Sequence, residues 1–192
     1  MSRQIAVIVG SLRKDALSRK IAQHLIDTAP KGLKLNIVEI GELPLYNEDL
    51  DTKTPPKAWV DFRNAVKQAD GVLFVTPEYN RSVPGALKNA IDVGSRPYGA
   101  SAWNGKPGAV VSLSQGAIGG FGANHHLRQM LVFLDVLPLQ QPEIYLGSIQ
   151  KALDENGHVA NDGVRSLLAG FLKRFEHWVA THSAAHELAR AS

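Results

Sequence analysis

The chain has 192 residues, 44% of them hydrophobic and 20% charged, a balance typical of one globular domain with a substantial core. It contains no cysteine, which excludes disulfides, thiolate catalysis, cysteine-ligated zinc and iron–sulfur clusters. A formal charge of +3, spread along the chain, does not indicate nucleic-acid binding, and no apolar run approaches membrane-spanning length. We expect a single domain over residues 1–192 with a frayed tail at 183–192. Because the first strand leaves no room for a signal peptide, we also expect a cytoplasmic location.

Strands and helices alternate along the chain. Short apolar runs rich in β-branched residues predict buried strands at residues 4–9, 35–39, 71–75, 107–113 and 139–145. Apolar residues at helical spacing predict the intervening helices, at Leu17 to Ile26, 58–69, Leu87 to Ile91, Leu127 to Leu134 and Val164 to Trp178. This alternation predicts an α/β fold, a three-layer sandwich around a five-stranded parallel sheet of order 2-1-3-4-5. In that order the first, third and fourth strands are adjacent, so the loops that follow them meet at one ligand-binding edge.

The first of these loops, residues 10–18, has the residues of a phosphate cradle. Ser11 and Ser18 offer hydroxyl groups, and Arg13 offers a planar set of charged donors. The start of the helix that follows supplies free backbone N–H groups. The alternative is that Gly10 and Ser11 form a simple turn and that Arg13 is a solvated surface charge.

The second loop, residues 76–84, follows the third strand. Ser82 is a plausible N-cap for the next helix, and Pro84 suits its first turn. Tyr79 offers a flat amphipathic ring, whereas Asn80 is either a ligand contact or a residue that caps the turn. Glu78 resembles a surface carboxylate beside proline, and we assign it no proton transfer.

The third loop, residues 114–122, is rich in glycine, so its backbone could approach a planar ring closely. A phosphate at one end and a flat heteroaromatic ring at the other describe a mononucleotide. FMN fits better than a purine nucleotide, because its ring needs hydrogen bonds along one edge and an exposed face for chemistry.

Three segments resemble the NADPH-dependent FMN reductase family of flavodoxin-like quinone, azo-dye and chromate reductases. The segments are Gly10-Ser11-Leu12-Arg13-Lys14, the run from Pro77 to Asp92, and Gly105-Lys106-Pro107. The resemblance covers nearly the whole chain. It implies bound FMN, NADPH or NADH as electron donor, and two-electron reduction of quinones or of other acceptors such as chromate, azo compounds or free flavin. It also implies a homodimer or homotetramer with flavin sites near the subunit interfaces.

The resemblance further implies a role for ten residues at the flavin. By position, Ser11, Arg13 and Ser18 would bind the phosphate. The isoalloxazine ring would be lined by Pro77, Glu78, Tyr79 and Asn80, and on the other side by Ser114, Gly116 and Gly119. No side chain is expected to be catalytic in its own right, because the chemistry belongs to FMN, and no histidine spacing suggests a metal site.

A flavodoxin-type electron carrier without enzymatic activity is the alternative function, because it shares the fold. Such a carrier is expected to be acidic, with a phosphate loop rich in serine and threonine. Arg13 and the positive net charge argue against it.

Overall fold

A computed structural model describes the backbone of residues 2–191 and the side chains of residues 2–183. The strands are β1 (Arg3–Val9), β2 (Leu33–Ile37), β3 (Gly71–Pro77), β4 (Pro107–Leu113), β5 (Leu137–Pro138) and β6 (Ile144–Leu146). The helices are α1 (Leu17–Asp27), α2 (Lys57–Gln68), α3 (Gly85–Gly94), α4 (Phe121–Phe133) and α5 (Asp162–Ala191). We expect a frayed tail at residues 183–192, and almost all of the side chains there lie outside the described part of the chain.

All strand pairs are parallel, and the sheet order is β2-β1-β3-β4-β5, with β6 also pairing with β4. This order confirms the predicted flavodoxin-like α/β fold. Successive residues of β1 alternate between two cores, with Ile5, Val7 and Val9 in one and Ala6 and Ile8 in the other. Both faces of the sheet are therefore covered by helices, which is why the central strands are continuous apolar runs.

The fifth strand predicted at residues 139–145 is strand only at Ile144 and Tyr145, in β6, and a separate short strand, β5, precedes it, which corrects the prediction of five strands. Leu137 pairs with Pro107 at the start of β4, and Leu146 pairs with Leu113 at its end. Between these two pairs the chain advances nine residues from Leu137 to Leu146, whereas β4 advances only six. The extra residues therefore loop out between β5 and β6. Pro138 and Pro142 have no backbone N–H and cannot continue the ladder of hydrogen bonds.

The long polar connection after β2 is fastened to the helices beneath it. Asp51 accepts two hydrogen bonds from the Arg63 guanidinium, at 2.9 and 2.8 Å, and both side chains are only 7% exposed. Arg63 also donates to the Val93 carbonyl at 2.8 Å. The guanidinium holds the pKa of Asp51 below its ordinary value.

None of the helices within the described residues combines the length and the apolar character that a bilayer crossing requires.

Candidate functional site: a cleft at the carboxyl ends of three strands

The loops after β1, β3 and β4 surround one cleft of about 560 Å³, within the roughly 300–1,000 Å³ typical of small-molecule sites. The cleft lies at the carboxyl edge of the sheet, beside the point where the strand order reverses between β1 and β3. Its lining comprises Gly10, Ser11, Leu12, Arg13, Ala16, Leu17, Ser18, Pro77, Glu78, Tyr79, Pro84, Gly85, Ala86, Leu113, Ser114 and Gln115.

The amino terminus of α1 opens onto the cleft without a cap of its own. The N-cap residue is Ala16, which is extended and has no side-chain acceptor, and the first turn contains no acidic residue. The first N–H groups of a helix have no intrahelical partner, and the helix dipole places partial positive charge there. This end of the cleft is therefore suited to an anion.

Ser18 strengthens that assignment. Its side chain lies in the first turn of α1, is 1% exposed and lines the cleft. Among the side chains that the structure describes, its hydroxyl is the buried polar group with no hydrogen-bond partner. A buried hydroxyl without a partner is unfavourable by about 1–3 kcal/mol, and a phosphate oxygen would supply the missing bond. The residues present therefore fit a phosphate.

Ser11 and Arg13 lie in the loop before this helix. The Ser11 hydroxyl accepts a weak hydrogen bond from the Arg13 N–H at 3.3 Å, and the Arg13 carbonyl accepts from the Ala16 N–H at 3.2 Å. These bonds bend the loop around the cleft. The Arg13 side chain is exposed and lines the cleft, so its guanidinium can reach a bound anion without breaking an existing ion pair.

The second loop forms a tight hairpin, which we call the Tyr79–Ser82 hairpin. Tyr79 and Ser82 exchange backbone hydrogen bonds of 2.9 and 3.0 Å, and the two residues between them have positive φ, 50° at Asn80 and 63° at Arg81. This geometry corrects one expectation. Ser82 is not the N-cap of α3, because the helix begins at Gly85 after an extended Pro84. The N–H groups of Tyr79 and Ser82 bind within the hairpin, so they are not free to contact a ring edge.

The sequence suggested that Glu78 is a surface carboxylate, and this prediction is wrong. Its side chain is only 12% exposed, and it accepts a hydrogen bond from the Ala123 N–H, at 3.2 Å, in the first turn of α4. Arg81 lies 3.6 Å from its other carboxylate oxygen. Pro77, Glu78 and Tyr79 line the cleft, with the Tyr79 ring 70% exposed.

The conformation of the third loop is fixed mainly by its contacts with other segments of the chain. Ser114 lines the cleft, and its hydroxyl donates to the Gly116 carbonyl at 2.9 Å. A Cβ at Gly119, where φ is 63°, would lie 2.5 Å from the carbonyl carbon of Tyr145. Glycine is thus required at 119 by β6, rather than by a ring in the cleft.

Seven of the ten predicted residues line the cleft together, whereas Asn80, Gly116 and Gly119 do not. Sequence reasoning missed Leu12, which is 58% exposed. An apolar residue among polar neighbours in a ligand loop was the available signal. It also missed the hydrogen bond that the Glu78 carboxylate accepts from the Ala123 N–H. No local pattern could reveal this bond, because the two residues are 45 positions apart in the chain.

The comparisons with known proteins agree with this geometry. The model of the family described as NADPH-dependent FMN reductase matches residues 3–151. The chain is 60% identical to a quinone reductase of Pseudomonas putida over 175 residues, 91% of this chain and 94% of that protein. It is 44% identical to a 2-hydroxy-1,4-benzoquinone reductase of a Burkholderia species, covering 93% and 97%.

Among solved structures, the chain is similar to FerB, a flavoenzyme NAD(P)H:(acceptor) oxidoreductase of Paracoccus denitrificans. The TM-score is 0.88 and the identity 38%, with 94% of this chain and 98% of that chain covered. The family match extends over most of the chain, and the end of the cleft suited to an anion is compatible with it. The protein therefore belongs to the NADPH-dependent FMN reductase family, as an oxidoreductase that uses FMN with NAD(P)H as co-substrate.

Proposed function

We propose that this protein reduces quinones with electrons from NADPH or NADH through FMN held in the cleft. The observation that carries the proposal is the buried Ser18 hydroxyl without a partner, beside an uncapped helix terminus at one end of that cleft. Ser11, Arg13 and Ser18 would hold the phosphate, and Pro77, Glu78, Tyr79 and Ser114 the ring. Asn80, Gly116 and Gly119 would shape the loops around it.

FMN held by these residues would supply the redox chemistry, the two-electron transfer from NAD(P)H to the acceptor. The protein would contribute by holding the reactants in position. Leu12 and Tyr79 are both exposed at the cleft and give it an apolar margin. Flat, largely apolar acceptors such as quinones suit that margin, and the names of the relatives from Pseudomonas putida and the Burkholderia species support this acceptor class. Chromate, azo compounds and free flavin are further proposed acceptors.

The test is an anaerobic absorbance titration of the purified protein with FMN supplied. We expect NADPH or NADH to bleach the flavin bands stoichiometrically and a benzoquinone to restore them. Chromate, an azo dye and free flavin are then compared with the quinone by kcat/KM. Bound flavin that neither NADPH nor NADH reduces would contradict the proposal. It would favour an electron carrier that depends on a separate reductase.

We also propose that a second copy of the chain covers the face formed by α3 and α4. A groove of about 810 Å³ lies there, lined by apolar residues such as Ile91 and Met130 and by polar residues such as Ser95 and His126, and Phe133, 84% exposed, lies on the same face. A groove and a projecting ring on one face can complement each other about a two-fold axis. Lys88 and Asp92 line the groove as an ion pair of 2.7 Å, and Gly85 lines both the groove and the cleft.

Sedimentation velocity tests the assembly. We expect the mass of two or four chains for the native protein and a smaller assembly for Phe133→Glu, whereas Leu45→Glu, a change at an exposed leucine away from the groove, should have no effect. A native mass of 20.8 kDa, that of one chain, would contradict the proposal. The single domain over residues 1–192 and the cytoplasmic location stay predictions from the sequence.

A further inference from the structure

The Tyr79–Ser82 hairpin needs support from outside itself. Both of its central residues, Asn80 and Arg81, have positive φ, a backbone conformation that is disfavoured for residues other than glycine or asparagine. Such a conformation persists when surrounding contacts fix it. Since Tyr79 lines the cleft, whatever fixes the hairpin also fixes one wall of the site.

The first two turns of α4 supply those contacts. A Cβ at Gly122 would lie 2.7 Å from the Arg81 carbonyl oxygen, so the tip of the hairpin lies directly on the helix. The Ser82 hydroxyl and His126 Nδ1 form a hydrogen bond of 3.0 Å. The third contact is the Glu78 carboxylate, which accepts from the Ala123 N–H.

Glu78 occupies the place of a missing helix cap. The N-cap residue of α4 is Gly120, which has no side chain to accept the N–H of the third helical residue, Ala123. Glu78 accepts that N–H instead, and its negative charge is favourable at a helix amino terminus. The same carboxylate lies 3.6 Å from Arg81 in the strained turn. One side chain therefore connects the helix, the turn and the cleft.

We propose that Glu78 is a positioning residue, whose carboxylate fastens the Tyr79–Ser82 hairpin to α4 and thereby fixes Tyr79 at the cleft. Its role is structural support of the site rather than proton transfer. The consequence for FMN affinity rests on the proposed function, whereas the order of the hairpin does not.

The hairpin is tested by amide hydrogen exchange of Tyr79 and Ser82, measured by NMR on the full chain before and after FMN is supplied. In Glu78→Ala we expect both amides to exchange at least about fivefold faster, the factor that corresponds to a typical lost cap. Asn161→Ala is the matched control, because Asn161 caps α5 through a 3.0 Å bond to the Val164 N–H. It should lower the melting temperature similarly but leave the exchange of Tyr79 and Ser82 unchanged.

Two further variants separate the proposal from its rivals. Gly122→Ala should also speed exchange in the hairpin, because its Cβ would lie 2.7 Å from the Arg81 carbonyl oxygen and 3.0 Å from Glu78 Oε2, so it disturbs the contact of the hairpin with α4 from the helix side. Gly170→Ala, in open space on α5, is its control. Glu78→Gln keeps an oxygen that can accept from Ala123, so it should restore most of the protection and of the FMN affinity.

Unchanged exchange in both Glu78→Ala and Gly122→Ala would overturn the proposal. So would a Glu78→Gln variant with an ordered hairpin and normal FMN affinity but no turnover, because that result would indicate proton transfer. If FMN does not bind the native protein, the proposed function fails, and the exchange result still decides the role of Glu78.

Discussion

Ser18→Ala should have opposite effects on the stability of the FMN-free protein and on FMN affinity. The side chain is 1% exposed, and its hydroxyl has no partner among the described residues. Removing it relieves a penalty of about 1–3 kcal/mol. For a domain of this size, each kcal/mol corresponds to roughly 2–4 °C in melting temperature. We therefore expect a higher Tm without FMN.

FMN affinity should fall in the same variant. A hydrogen bond from the hydroxyl to a charged phosphate is worth about 1.5–3 kcal/mol, which corresponds to a roughly 10- to 150-fold increase in Kd. The assays are thermal unfolding of the FMN-free protein, followed by circular dichroism, and titration of FMN fluorescence.

Ser112→Ala is the matched control, because Ser112 is also fully buried but donates to the Gly119 carbonyl at 2.8 Å and accepts from Asn124 at 3.1 Å. That variant should lose stability. The reasoning about Ser18 would be refuted by a lower Tm, or by a gain below about 0.5 kcal/mol, which helix propensity alone explains. An unchanged Kd would remove Ser18 from the phosphate site.

Three further predictions concern the cleft and its support. Arg13→Ala should raise the Kd for FMN about tenfold or more, with little change in Tm, because the guanidinium is exposed. Asp51→Asn should lower stability at pH 7 by about 3–5 kcal/mol, because it leaves Arg63 buried without its charged partner. The depressed pKa of Asp51 stabilises the native protein above its unfolded pKa of about 4, and this contribution is lost as pH falls through the folded pKa, so the difference should shrink in acid. Gly119→Ala should destabilise by more than about 1–2 kcal/mol, because a positive φ and a clash with Tyr145 act together.

Simple controls accompany these variants. FMN retained at full occupancy by Arg13→Ala would contradict the phosphate assignment of that side chain. The pH dependence is measured by urea unfolding from pH 7 to pH 3, and a constant difference between Asp51→Asn and the native protein would show that Asp51 does not titrate as argued. For Gly119→Ala the comparison is Gly170→Ala, where the added Cβ meets nothing within 4 Å.

The sheet could be predicted from the sequence because its signals are local. β1, β3 and β4 each contain a continuous apolar run, and glycine, proline or serine stands where each run gives way to a polar loop, so both order and site location follow. The division between β5 and β6 could not be predicted in the same way. It depends on how far the outer segment must travel beside β4, which is a property of the assembled sheet.

The same distinction between local signals and properties of the assembled fold applies to the site residues. Ser11, Arg13 and Ser18 could be proposed from chemistry and position alone, but the buried state of Ser18 required the packed helix. The turn at Asn80 was an open alternative in the sequence, and its positive φ favours that alternative. The bond from Ala123 to Glu78 joins distant segments, and no periodicity in either segment encodes it.

The division of β5 from β6 also affects how the chain behaves at high concentration. A long, flat strand at the edge of a sheet exposes a row of unpaired N–H and carbonyl groups, which is a template for aggregation with other chains. Here that edge consists of two- and three-residue strands, interrupted by a loop and by Pro138 and Pro142. Prolines and short strands are the devices by which natural sheets block such templating. Strand-to-strand polymerisation through this edge is therefore disfavoured by the same irregularity that made the segment hard to predict.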